Sequence, residues 1–316
     1  MRNTRKYRGN GFMDFFSMKH TKKKIHHKLN CGPIVDGKNA NGGTCYTKKI
    51  LKKIKTAYNQ SYPDKIHTSN PSAILDELKT RLNDECVSEN CWLKLLPSSQ
   101  RNFLEQHVFR PFHPKEWNDN PKEWLSNFDI LKVLKQYEQS DPEFEFLGPC
   151  PIDFDKKIEG NSKCVCSEIC KFQLSNYIKK GTKKIGMVFN LDDHDESGSH
   201  WVSLYVDIPH KLIFYFDSAL NDTPPEIEVL AQRILEQATN IQQIYTYKKN
   251  KIQHQFSNTE CGMYALFFLI TLITEKWGGN GKHITVPQCL QKIYNHRIPD
   301  KVVEKFRNYY FNRPVI

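Results

Sequence analysis

No apolar stretch in this chain reaches the roughly 18 residues that a membrane-spanning helix needs. The longest, Met263–Ile273, contains Thr271 and runs straight into Thr274-Glu275-Lys276. The N-terminal segment lacks the apolar centre of a secretory signal. These absences predict a soluble protein, inside a cell or a particle, with no membrane partner. Ten cysteines are present, yet none stand in the paired C-x2-C spacing of common zinc sites. Cys164-x-Cys166-x3-Cys170, with Cys150 upstream, therefore reads as thiols packed against a core. Asp192-Asp193-His194-Asp195, with Gly198 nearby, reads as a solvated loop. Neither a metal nor any other cofactor is expected. Internal repeats are absent too.

What is there suffices for a folded core. At 316 residues and 39% hydrophobic, the chain has room for one large domain with an appendage. Its net charge of +11 is uneven. Residues 1–28 hold nine Lys and Arg against Asp14 alone, which accounts for +8 of the +11. Residues 1–30 read as a basic, disordered tail able to attract nucleic acid or an acidic partner. The remainder is near neutral, which argues against a dedicated nucleic-acid enzyme.

Residues 31–110 read as a helical arm. Lys48–Tyr58 and Ser72–Leu82 carry apolar residues at helical spacing, and the second opens on Asn70-Pro71, a cap and a first-turn proline. Arg110-Pro111-Phe112-His113-Pro114 marks a boundary, leaving residues 111–316 as the main domain. There the pattern gives a helix over Leu125–Tyr137, a strand over Lys184–Leu191 and a hairpin. A helix over Pro225–Gln237, a strand over Ile241–Tyr247 and an apolar helix follow. That is an α+β order.

The hairpin carries chemistry. Trp201–Ile208 and Leu212–Phe216 are rich in β-branched and aromatic residues, and Pro209-His210-Lys211 is short enough to turn between them. Folding them together sets position 201 opposite 218 and brings His200 and Asp217 to the same end of neighbouring strands. Cross-strand neighbours lie about 5 Å apart, so the carboxylate can fix the imidazole tautomer. Asn258-Thr259-Glu260 supplies capping residues for the helix that follows, placing Cys261 in its first turn. Backbone N–H groups and the helix dipole favour a thiolate there. Gly262 permits close approach of a substrate carbonyl. Gln255 precedes Cys261 on the entering segment, where its amide and the Cys261 N–H would meet an oxyanion. Base, orienter, oxyanion donor and nucleophile are the parts that hydrolysis by a cysteine requires. A chemistry based on a thiol suits a reducing compartment, so most of the other cysteines read as free.

The arrangement His200-Trp201, Asp217-Ser218 and Gln255-x5-Cys261-Gly262 resembles the ubiquitin-like-protein-specific cysteine proteases, the clan of SUMO proteases and adenain. Trp124-Leu125-Ser126-Asn127-Phe128-Asp129-Ile130 is similar to the family's Trp-Leu-x-Asp-x-x-Ile element, with Asn127 at its acidic position. Within the clan the likeness is strongest to the virion polyprotein proteases of large cytoplasmic DNA viruses such as African swine fever virus. His254-Gln255, Thr259 to Gly262, Arg297-Ile298 and Lys305 to Arg307 are shared strings.

The resemblance implies a papain-like fold of the SUMO-protease type with the N-terminal helical arm of the viral enzymes. It also implies cleavage after Gly-Gly, in a passage closed by Trp124 and Trp201. Two indoles leave room only for glycine. The expected activity is a cysteine endopeptidase acting on viral core or capsid precursors, in the virion or at assembly sites in the host cytoplasm. Gly42-Gly43-Thr44 would suit self-trimming. The rivals are an isopeptidase acting on SUMO or ubiquitin-like conjugates of host proteins, an acetyltransferase using a similar triad, and a non-catalytic basic particle protein.

Overall fold

The computed structural model describes residues 27–35, 43–158 and 163–314; the basic tail through residue 26, and Gly42 with it, lie outside them. The arm comes first. Helices α1 (Lys48–Ser61), α2 (Pro71–Arg81) and α3 (Ser98–Val108) assemble around a short 3-10 segment at Glu89–Leu95. Thr47 and Asn70 cap α1 and α2 with side-chain oxygens, and Pro71 occupies a first-turn position whose N–H would be unpaired anyway. Their apolar faces, with Trp92 and Tyr46, form a cluster running from Leu29 to Phe109, distinct from the two clusters on the sheet. Buried polar bonds tie it to the rest. Gln136 donates to the carbonyls of Gln106 and Phe109 at 2.6 and 2.7 Å, and Asn312 donates to those of Asn30 and Arg110.

The later helices are α4 (Asn127–Ser140), α5 (Ser167–Cys170), α6 (Leu174–Lys180), α7 (Pro225–Asn240), α8 (Cys261–Thr274), α9 (Val286–Asn295), α10 (Asp300–Glu304) and α11 (Arg307–Tyr310). They surround five strands in the order β1 (Phe144–Pro151), β2 (Lys184–Asn190), β3 (Trp201–Asp207), β4 (Leu212–Phe216), β5 (Thr246–Lys249). The two outer pairs run parallel and the two inner pairs antiparallel, so the sheet is mixed. In the hairpin Ser203 pairs with Phe216, which sets position 201 opposite 218 as the pattern predicts.

All residues of β3 and β4 are buried, because the hairpin has a core on each face. Tyr205, Phe214 and Phe216 face the α4 and α8 side; Val206, Ile213 and Tyr215 face the α7 side. A doubly covered strand reads as a continuous apolar run, with little alternation to see. Helix α8 is buried from Cys261 to Ile273 and contacts β3, β2 and α4. No helix among the described residues is long and apolar enough to cross a membrane.

Four details depart from the sequence pattern. Strand β5 begins at Thr246, because α7 continues to Asn240 and residues 241–245 turn, leaving Ile244 86% exposed. Strand β1 pairs with β2 although its sequence contains Gly148-Pro149, which breaks the register between Leu147 and Cys150. Helix α8 has Glu260 as its cap residue, with no side-chain capping bond; only the Glu260 carbonyl engages, accepting the Tyr264 N–H at 2.8 Å.

The fourth is the cysteines, which are mostly not free. Cys31–Cys45, Cys86–Cys91, Cys150–Cys166 and Cys164–Cys170 are disulfides, and Cys261 and Cys289 remain as thiols. Partners lie 5 to 16 residues apart in sequence, and local turns and the β1 edge bring their Cα atoms within 5.2–6.3 Å. Closing the 14- and 16-residue loops is worth about 3 kcal/mol each in the chain-entropy account. Alkylation in denaturant before reduction should therefore mark Cys261 and Cys289 only. Mass spectrometry finding further labelled cysteines would refute the pairing.

Candidate active site

His200 stands just before β3 and Asp217 just after β4, so the hairpin register alone places them side by side. The His200 Nε2 lies 2.6 Å from Asp217 Oδ1. Asp217 is 1% exposed and heavily held. Its Oδ1 also accepts the Ala219 N–H at 2.8 Å, and its Oδ2 accepts that of Asn221 at 2.9 Å. Asn250, just past β5, grips its backbone from both sides: Oδ1 accepts the Asp217 N–H at 3.0 Å and Nδ2 donates to the Asp217 carbonyl at 2.7 Å. An acceptor-only carboxylate on Nε2 fixes the tautomer and leaves Nδ1 for the other neighbour.

That neighbour is Cys261, whose sulfur acts on the His200 ring together with Asp217. The thiol sits at the first position of α8 and is 2% exposed. Burial by itself would lower the His200 pKa. The Asp217 carboxylate, accepting from the ring, and the neighbouring Cys261 sulfur outweigh it, and the imidazole is pushed up to about 9. At neutral pH the ring is thus a cation wedged between a carboxylate and a sulfur, the setting that favours a thiolate.

Gln255 is 6% exposed and is aimed by Ser218, whose hydroxyl donates to Gln255 Oε1 at 2.7 Å. The Ser218 carbonyl also accepts the N–H groups of His254 and Gln255, at 2.9 and 2.8 Å. Ser218 thus stitches the donor loop to the residue beside Asp217. The Gln255 Nε2 donates to Ser257 O at 2.5 Å, which uses one of its two protons and leaves one. Its two neighbours make other contacts. Gln253 only braces the loop, donating to the Gln255 carbonyl at 2.9 Å. The His254 ring is buried against Phe216 and Tyr264, where burial first and Arg297 second push its pKa down to about 4.

Trp124 and Trp201 line one cleft of about 750 Å³, together with Asn127 and the 192–198 loop. Trp124 is 39% exposed, whereas Trp201 is buried and its indole donates to the Leu125 carbonyl at 3.0 Å. Gly262 has a packing reason beyond the substrate approach expected of it. A Cβ there would sit 3.1 Å from Leu125 Cβ and 3.3 Å from Trp201 Cδ1. The glycine lets α8 start hard against both aromatic-bearing segments.

Sequence reasoning missed Asn250 and the orienting role of Ser218. A lone Asn after an uncertain strand gives no signal. Ser218 was visible only as the partner of Asp217 in a motif.

Similarity to known proteins bears on the family and the fold. Residues 176–312 match the Ulp1 protease family, C-terminal catalytic domain. A putative thiol protease of Acanthamoeba polyphaga mimivirus is 27% identical over 90% of this chain and 94% of its own length. A SUMO-1 cysteine protease of African swine fever virus is 28% identical, over 46% of this chain and 56% of its own. The crystal structure of an African swine fever virus protease superposes with a TM-score of 0.58, covering 93% of this chain and 99% of that one at 23% identity, which supports the fold. Residues 176–312, which hold His200, Asp217, Gln255 and Cys261, thus match the catalytic domain of the Ulp1 protease family, and these relatives support a cysteine protease of the SUMO-protease class.

Proposed function

We propose that the chain is an endopeptidase that cuts viral core or capsid precursors after Gly-Gly during particle maturation. The observation that carries the catalytic part is the line Asp217–His200–Cys261, with the thiol at the start of α8. The resting pair is a Cys261 thiolate and a His200 imidazolium, the sulfur's proton already on the ring, and the thiolate attacks the carbonyl carbon of the glycine. The oxyanion is met by the Cys261 N–H and the remaining Gln255 amide proton. His200 then protonates the departing amine, and water, deprotonated by the same imidazole, releases the acid from the thioester. Trp124 and Trp201 select glycine by leaving no space for a side chain.

The viral setting is supported by the relatives, which come from mimivirus and African swine fever virus. On this reading the protein works in the virion or at assembly sites in the host cytoplasm, with residues 31–110 as an arm on a protease domain of residues 111–316. The basic tail offers contact with nucleic acid. A second reading follows from a relative named as a SUMO-1 protease: removal of ubiquitin-like modifiers, which also end in Gly-Gly.

One assay addresses both. Gly-Gly-X peptides and ubiquitin-like fusions are offered to wild type and Cys261→Ala, alongside matched Ala-Ala peptides. Peptide turnover that needs Cys261 and fails on Ala-Ala is the expected result. Cleavage confined to folded ubiquitin-like fusions would move the second reading to the front. Equal turnover of Ala-Ala would remove the glycine rule.

A further inference from the structure

The residue before the nucleophile is a buried carboxylate. Glu260 is 1% exposed, and a negative charge there opposes an anion on Cys261 unless something cancels it. Arg307, 5% exposed, supplies the cancellation. Its Nε and Nη2 donate to Glu260 Oε2 and Oε1, both at 3.0 Å, a bidentate geometry that lysine cannot reproduce. The other donors go to backbone. Nη2 reaches the Thr259 carbonyl at 3.0 Å, while Nη1 reaches that of Glu123 at 3.0 Å and that of Pro121 at 3.4 Å. The guanidinium lies 4.4 Å over the Trp117 ring, whose indole N–H donates to the same Glu123 carbonyl at 2.9 Å.

One side chain therefore grips two distant pieces of chain. One is the residue pair that leads into Cys261; the other is the segment that ends immediately before Trp124. Stability alone is a weak reason for such a pair, since buried ion pairs can often be replaced by apolar groups at little cost. Fixing two segments in a single register is what a planar group with five directed donors does well.

We propose that Arg307 is a positioning residue of the proteolytic centre. With Glu260 it locks the start of α8, and hence the Cys261 N–H, against the segment that presents Trp124. The proposal rests on Cys261 being the nucleophile.

The test compares Glu260→Gln, Arg307→Lys, Arg307→Met and the double variant Glu260→Gln/Arg307→Met. Each is assayed for kcat and KM on a Gly-Gly peptide across pH, with thermal melts alongside and Cys261→Ala as the blank. Arg307→Lys, which keeps the charge and loses the fork, should lower kcat by about tenfold or more in fully folded protein. Arg307→Met leaves Glu260 unpaired beside the thiol and should move the acid limb of kcat/KM upward by about half a pH unit or more. The double variant should return that limb toward wild type while kcat stays low, because the charge is gone and so is the clamp. Glu260→Gln should move the limb downward, and it keeps the question open to measurement if Arg307→Met does not fold. An unchanged acid limb in Glu260→Gln, with activity in Arg307→Lys that follows only the folded fraction, would reduce Arg307 to a stabilising residue. Turnover surviving in Cys261→Ala would instead overturn the proteolytic reading itself.

Discussion

Cys261→Ala is expected to remove Gly-Gly peptide turnover to the assay background, and His200→Ala to lower kcat/KM by about 10³-fold or more. The magnitude follows from a chain of dependence. The thiol is 2% exposed, so little reagent reaches it except through the site, and its base is a ring already fixed by Asp217. Removing the ring strips the thiolate of its cationic partner and the leaving amine of its acid in one step. The double variant should be no worse than Cys261→Ala, since the two residues act as a unit. Cys289 is the internal control. It is also a thiol and fully buried, but burial pushes it up to about 12 against a smaller opposing effect from Lys292. An electrophile added to folded wild type should therefore label Cys261 alone, and Cys289→Ala should leave that labelling unchanged. Labelling of Cys289 at a comparable rate would mean that the His200 setting confers no selectivity.

How much of this was legible in the sequence depended on the range of the contacts. The hairpin closes over only the four residues Ile208 to Lys211, so its register, and with it the meeting of His200 with Asp217, followed from local pattern. Helix α8 announced itself by an apolar run too long for a strand, and Cys261 took the first position of that helix as expected. Beyond that range the signal faded. Asn250 meets Asp217 across 33 residues, and Arg307 meets Glu123 across 184, through side chains whose types are common on any surface. Strand β1 gave no such signal, because Gly148-Pro149 interrupts its pattern. Strand β5 was misplaced because Ile241, Ile244 and Tyr245 mimic an apolar strand, while α7 runs on and the chain turns before Thr246. The disulfides escaped for a related reason. Their spacings fit no common framework; packing of the β1 end against residues 164–170 brings Cys150 to Cys166, and a local turn closes Cys164 on Cys170.

Asp217→Asn should move the basic limb of the pH profile downward and lower kcat by roughly 10²- to 10⁴-fold. The sign comes from the His200 proton. Burial favours the neutral ring, yet the Asp217 carboxylate, accepting from it, and the Cys261 sulfur prevail and hold the imidazole at about 9, above its ordinary value near 6.5. A group whose folded pKa is raised lends its full stability below the unfolded value, here about 6.5, and loses it as pH climbs through about 9. In wild type, kcat/KM should accordingly fall along a basic limb near pH 9, where the imidazolium that protonates the leaving amine disappears. Asparagine keeps an oxygen toward Nε2 but removes the charge, so the limb should retreat toward neutrality. The stability difference between wild type and variant should be widest below pH 6.5 and narrow above 9, a trend that denaturant titrations at several pH values would read directly. Asp217→Ala should do more damage, because the half-buried Ala219 and the exposed Asn221 lose the acceptor of their N–H groups as well, at about 0.5–1.5 kcal/mol for each bond lost. A basic limb that stays near 9 in Asp217→Asn would mean that the carboxylate orients the ring without holding its proton. The thiolate would then have to be the stronger partner of the imidazolium.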